Sequence, residues 1–301
     1  MIRTSIAILA LFSVYSGYAQ NANPIKNPVY YSVKDALAAK NPTQLNLRDR
    51  HVFTLPPDMD KLKGLTFLNI MGNNLEHWDE VLFNQTKLEV LNIQGNLLKY
   101  IPENISVFKQ LIKLDVSDND IAVIPSSIEK LKKLQYLYLS QNALTSLPST
   151  LKNCSNLEVL ALDDNQLSYL PQEISELKKL KQLNIGRNQF KEFDNNWTGL
   201  DYLEDLNIEY NQLLLFPEDI SHLKRLKTII ADYNKLKDLP DTIGELQQLT
   251  LLSLSHNNIS KLPESVARLS GLKTLILTGN PIAEAEKARI KKALPNCQVY
   301  F

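Results

Sequence analysis

The 301-residue chain is poor in cysteine (two), in glycine (nine) and in net charge (33 Lys+Arg against 33 Asp+Glu). Two cysteines cannot build a disulfide framework. So little glycine excludes a collagen-like chain or a flexible linker. Balanced charge argues against a nucleic-acid partner, because proteins that bind polyanions carry a basic excess. Long apolar runs are missing as well: the run over residues 6–15 falls well short of the roughly 20 residues a membrane-spanning helix needs. What is present is the stock of a folded protein, 44% hydrophobic and 22% charged. One bias stands out, 53 leucines and 28 asparagines, and such a pair points to a repeat.

The short apolar run reads as the centre of a secretory signal over residues 1–19. Arg3 gives the positive start, Ile6 to Tyr15 the apolar core, and Gly17 and Ala19 the small residues before a cleavage site. The expectation is a mature chain beginning near Gln20, secreted or periplasmic, with no stable membrane insertion after cleavage.

Asparagine recurs at Asn73, Asn96, Asn119, Asn142, Asn165, Asn188, Asn211, Asn234, Asn257 and Asn280, every step being 23 residues. The frame around it returns too, as in Leu88-x-x-Leu91-x-Ile93-x-x-Asn96 and Leu134-x-x-Leu137-x-Leu139-x-x-Asn142. The period-two pair Leu91 and Ile93 points one way from a short strand, while the residues between face outward. The Asn falls where the chain must turn, and its amide can pair backbone groups that a buried turn would leave unsatisfied. Then comes Leu-Pro, as in Leu147-Pro148 and Leu239-Pro240, where Pro suits the start of a short helical or 3₁₀ segment. One such unit cannot bury its own apolar face, but stacked copies can.

This frame resembles the leucine-rich-repeat family. Its 23-residue length with Leu-Pro-x-x-Ile-x-x-Leu is similar to the subclass of Ras-pathway scaffolds and of many bacterial secreted repeat proteins. The resemblance implies an α/β fold, a solenoid curved into a horseshoe. It would carry a parallel β-sheet on the concave face, short α or 3₁₀ helices on the convex face, and helical caps at both ends. Residues 20–44 are expected to form the N-terminal capping segment, with a capping box at Ser32 and Asp35. Residues 45–282 form the solenoid of about 11 repeats, and residues 283–301 a closing helix plus strand. Two repeats lack Leu-Pro and carry aromatics instead, Trp78 in one and Phe190, Phe193 and Trp197 in the other; an enlarged local core explains them best.

Catalytic groups are scattered. His51, His77, His222 and His256 lie in different repeats without metal-ligand spacing, and no phosphate loop or nucleophile elbow occurs. No enzyme activity, metal or cofactor is expected. In the nine-residue frame the third, fifth, seventh and eighth places project from the sheet. Their charged occupants are Lys113, Asp115, Asp118, Asp163, Asp164, Arg187, Asp205, Glu209 and Asp232, seven negative against two positive. Tyr136, Tyr138, Tyr210 and Tyr233 share that face. Tyrosine is enriched at interfaces and clustered carboxylates steer basic partners. The candidate partner-binding residues are therefore Tyr136, Tyr138, Asp163, Asp164, Arg187, Asp205, Glu209, Tyr210, Asp232 and Tyr233. The expected partner is a protein or peptide ligand with a basic surface. Two other readings stand beside it. The repeat subclass suggests an intracellular Ras-type signalling scaffold, and the tyrosines with their polar neighbours suggest a glycan-binding protein.

Overall fold

The computed structural model describes Asn23 and residues 26–301, so the expected signal segment lies outside the described residues. Thirteen short strands form one parallel sheet: β1 (Val29–Tyr30), β2 (Gln44–Asn46), β3 (Phe67–Asn69), β4 (Val90–Asn92), β5 (Lys113–Asp115), β6 (Tyr136–Tyr138), β7 (Val159–Ala161), β8 (Gln182–Asn184), β9 (Asp205–Asn207), β10 (Thr228–Ile230), β11 (Leu251–Ser253), β12 (Thr274–Ile276) and β13 (Gln298–Tyr300). Their spatial order is their sequence order, and the sheet is open. From β2 to β12 each residue pairs with the one 23 places on, for example Leu91 with Leu114 and Leu160 with Leu183. The sequence period thus becomes a spatial one, with equivalent positions stacked about 4.8 Å apart in columns.

The frame leucines turn inward. Leu68, Leu91, Leu114, Leu137, Leu160, Leu183, Leu206, Ile229 and Leu252 are wholly or almost wholly buried, and one continuous core runs from Val33 to Leu294. Strands β2 to β13 are three residues long, and the asparagine column holds the turn that follows each of β3 to β12. Asn165 shows the pattern. Its Nδ2 donates to the carbonyls of Leu139 (2.9 Å), Leu162 (3.0 Å) and Asp163 (3.3 Å). Its Oδ1 accepts the N–H of Leu144 from the preceding repeat at 3.0 Å. Asn96, Asn188, Asn211, Asn234 and Asn257 repeat it. A single buried amide therefore pairs the backbone within its own turn and ties it to the repeat before.

On the opposite side lie 3₁₀ segments such as Glu103–Val107, Ser126–Lys130 and Asp241–Glu245. Proline sits one place before the segment, and in Pro57–Lys61 a second proline also opens it. Pro102, Pro125, Pro148, Pro171, Pro217, Pro240 and Pro263 are N-cap residues with φ between −60° and −81° and extended ψ. Where proline is missing, Asp194 takes that place, and its carboxylate accepts the N–H of Asn196 at 2.8 Å. The aromatics of that repeat are core: Phe190, Phe193 and Trp197 are buried, with ring centroids of Phe193 and Trp197 4.8 Å apart. Trp78 is buried as well and donates its Nε1 to the Tyr100 carbonyl at 2.7 Å.

Helix Val33–Ala38 precedes β2, and Ser32 Oγ accepts the Asp35 N–H at 3.1 Å. The Asp35 carboxylate accepts the Ser32 hydroxyl at 2.7 Å instead of reaching the Ser32 backbone, so one of the two bonds of a capping box forms. Past the last repeat, helix Glu284–Ala293 buries Ile290, and β13 pairs with β12. Among the described residues no helix is long and apolar enough to cross a membrane.

Candidate functional site on the outer face of the sheet

Four columns project from the sheet. Two come from the strands; two follow them, in the turn before the asparagine. The last column, immediately before the asparagine, is left-handed in every repeat from Asp49 to Gly279. Gly72, Gly95 and Gly279 have φ of 66°, 65° and 78°. Asp118, Gln141, Asp164, Arg187, Tyr210, Tyr233 and His256 adopt φ between 50° and 60°. A side-chain-bearing residue in that region costs roughly 1–2 kcal/mol, and glycine does not. Glycine in the outer repeats follows from this, whereas two tyrosines, a histidine and an arginine in succession need another explanation.

These four side chains form a ladder. The Arg187 guanidinium carbon lies 4.0 Å from the Tyr210 ring centroid. Tyr210 and Tyr233 stack at 4.2 Å with planes 8° apart, and Tyr233 and His256 at 4.3 Å and 18°. Beyond them Gly279 leaves room for the histidine: a Cβ there would come within 2.5 Å of His256 Nδ1. Tyr210 and Tyr233 remain 36% and 41% exposed, so the ladder is stacked within and open on its outer edge. The Arg187 guanidinium lies over Tyr210, and among the described residues no ion pair joins it to Asp164.

The neighbouring column carries Asp163, Glu209 and Asp232. Ser140 Oγ donates to Asp163 Oδ1, as does Asn184 Nδ2 at 2.7 Å. Ser253 Oγ and the Ser255 N–H donate to Asp232 Oδ1 at 2.6 and 2.7 Å. On β9, Asp205 accepts from Gln182 Nε2 at 3.1 Å. Burial pushes the carboxyls of Asp163, Glu209 and Asp232 above their ordinary values, against these hydrogen bonds and, for Asp163 and Glu209, the nearby Arg187. Among the described residues, the ion pairs join other groups, such as Lys181 with Glu158 and Lys227 with Glu204 along the sheet's margin. None involves Asp163, Asp164, Asp205, Glu209 or Asp232.

Tyr136 and Tyr138 belong to a second cluster on β6, three strands from Tyr210 but next to the Asp163 end of the acidic column. Lys113 Nζ lies 4.5 Å from the Tyr138 ring centroid. Both Lys113 and Asp115 are buried, although their column faces outward. Burial lowers the Lys113 amine to about 8, with Asp115 acting in the opposite sense. Sequence reasoning placed Lys113 and Asp115 among the solvent charges of the face. It passed over the serines that hold the carboxylates, Ser140, Ser253 and Ser255, and took Asn184 for a glycan contact, whereas its amide donates to Asp163. Their in-phase spacing was the available signal. Cys154 is buried, donates its Sγ–H to the Ile128 carbonyl at 3.2 Å, and has its thiol pushed up to about 12 by burial. Among the described residues, no three His, Cys, Asp or Glu side chains converge as metal ligands.

Comparison with known proteins fits this architecture. One family model, a leucine-rich repeat region, matches residues 80–196, and another, a leucine rich repeat, matches residues 224–282. Together they span more than half of the chain, which belongs to the leucine-rich-repeat proteins. No curated protein sequence matches it. Among solved structures, a leucine-rich-repeat protein of Leptospira interrogans is 28% identical, covering 86% of this chain and 84% of the other, with a TM-score of 0.52. An internalin of Listeria monocytogenes is 21% identical over 87% of this chain and 74% of its own, TM-score 0.77. A plant peptide hormone receptor, solved in complex with RGF2, is 22% identical over 76% of this chain and 42% of its own, TM-score 0.60. The chain spans less than half of that receptor, and at such identity the last two likenesses show the fold alone.

Proposed function

We propose that the protein is an exported, non-enzymatic binding protein that captures a protein or peptide with a basic surface on the outer, concave face of its sheet. The observation that carries this reading is the set of five carboxylates, Asp163, Asp164, Asp205, Glu209 and Asp232, that form no ion pair among the described residues and lie beside an exposed aromatic ladder. At the sheet's margin, by contrast, Glu158 meets Lys181 and Glu204 meets Lys227, each one repeat away. Half-buried carboxylates such as Asp163 and Asp232, held by neutral hydrogen-bond donors, gain further from an arriving cation, and that energy is available for binding. Tyrosine adds contact area with few rotors to freeze. The plant receptor bound to its ligand supports a peptide-sized partner for this fold. Export rests on the N-terminal sequence.

Affinity capture with the wild type and with Asp205, Glu209 and Asp232 all changed to lysine tests the face. Capture should be lost in the variant, whose thermal unfolding is unchanged, and should weaken steeply with salt. Equal capture by both proteins at low and high salt rejects the face as the contact. Mass measurement of exported material should show a chain starting near Gln20; an intact Met1 in the cytosol would reject export.

A further inference from the structure

Across β7, β8 and β9 the binding face runs acid, base, acid, and that order narrows the partner. Carboxylates stand in the seventh place of the frame after β7 (Asp163), after β9 (Glu209) and after β10 (Asp232). After β8 that place is Gly186, and the next residue is Arg187, stacked on Tyr210. A ligand cation is therefore accepted opposite β7, β9 and β10, and between the first two it is met by Arg187. Strands stand about 4.8 Å apart, so the Asp163 and Glu209 positions are roughly 9.6 Å apart. A polyproline-II segment has three residues per turn and rises about 3.1 Å per residue, which brings every third side chain back to one side after roughly 9.3 Å. An extended β-strand repeats every ~6.7 Å and loses step with the columns at once. An α-helix with a cation on each turn, every ~5.4 Å, would place one opposite β8.

We propose that the face from β7 to β10 takes a proline-rich segment in the polyproline-II conformation carrying a lysine or arginine at every third position, lying across the strands. This rests on the reading of the face as the binding surface. Two successive cations sit on Asp163 and Glu209, with Arg187 between them excluding a third. The proline rings pack along the outer edges of Tyr210, Tyr233 and His256, whose stacking holds them as one rigid wall. Such a segment is already extended and loses little freedom on docking. Two of the carboxylates are held in place by hydrogen bonds. The hydrogen bonds from Ser140 and Asn184 to Asp163 both end on Oδ1, and so do those from Ser253 and the Ser255 N–H to Asp232.

Fluorescence anisotropy with two labelled peptides of one composition tests this. In one, lysine occupies every third place among prolines; in the other, the same lysines stand side by side. The first should bind at least about tenfold more tightly than the second at low salt. Glu209→Gln should remove about tenfold of that affinity, and Tyr210→Ser with Tyr233→Ser should abolish the preference between the peptides. Unchanged circular dichroism and unfolding temperature of these variants separate binding from folding. Equal binding of the two peptides overturns the proposal, as does indifference to Glu209→Gln. If neither peptide binds while partner capture still depends on Asp205, Glu209 and Asp232, the polyproline partner falls and the binding face stands. If capture also ignores those acids, both fall.

Discussion

At Tyr233 two opposing energies of similar size meet. Its left-handed backbone costs roughly 1–2 kcal/mol. Its stacking between Tyr210 and His256 returns about 0.5–1.5 kcal/mol for each aromatic pair. Tyr233→Gly is therefore expected to change folding stability by less than about 1 kcal/mol in urea unfolding while strongly weakening partner capture. A loss beyond roughly 3 kcal/mol would make the ladder a structural device. Lys113 offers a second test, through pH. Its folded-state value is about 8 against 10.5 for the free group, because burial disfavours the charged amine. Below pH 8 both states hold the proton and the cost of burial is fully present. Between about 8 and 10.5 the unfolded chain binds more protons than the folded one, so stability rises with pH across that window. The whole rise is on the order of 3 kcal/mol. Lys113→Met should flatten it and stabilise the protein at pH 7; urea unfolding of both proteins at pH 7 and 9.5 is the measurement. The two residues differ in how far the sequence foretold them. The 23-residue phase puts Tyr210 beside Tyr233, and Gly72, Gly95 and Gly279 in the same phase mark the left-handed place. The burial of Lys113 depends on where the Tyr138 ring comes to rest, and no spacing encodes that.

At the scale of the element, the leucine-proline half-repeat is a cap followed by a 3₁₀ turn, and its exceptions explain it. Asp194 stands where eight repeats carry proline, with φ −69° and ψ 131°, a conformation proline shares. One residue restrains the backbone beforehand; the other fills a vacant N–H with its carboxylate. Asp194→Ala has neither device and should cost about 1 kcal/mol. Asp194→Pro should restore most of it, since no backbone hydrogen bond is made by the Asp194 N–H among the described residues. Equal losses in the two variants, measured by thermal unfolding, would show that the carboxylate alone matters. Trp197 fills the space that the smaller aliphatic residue takes in other repeats, and Phe190 and Phe193 pack on its ring. The sequence revealed the break in pattern, and burial decides its meaning: these rings are core and present no apolar surface to a partner.

At the scale of the molecule, every strand touches only its neighbours, so stability is a sum of repeat and interface energies while binding belongs to particular rungs. In such a chain a 23-residue deletion closes in register, because the residue after the gap occupies the same place in the frame. Deleting residues 88–110 removes β4 and joins β3 to β5; deleting residues 203–225 removes β9 with Asp205, Glu209 and Tyr210. Both shortened chains should fold cooperatively, with urea midpoints slightly below that of the full chain. They should part on function. Without β4 the face from β7 to β11 is intact, so capture should persist with its salt dependence unchanged. Without β9, Arg187 meets Tyr233 directly, and the row of acids runs from Gly186 to Asp232 with Glu209 gone. Capture should then fall to background. Loss of capture in both chains would mean that the partner spans the whole sheet, including Lys113 and Tyr138, and that no local set of rungs suffices. Retention in both would move the contact off this face altogether.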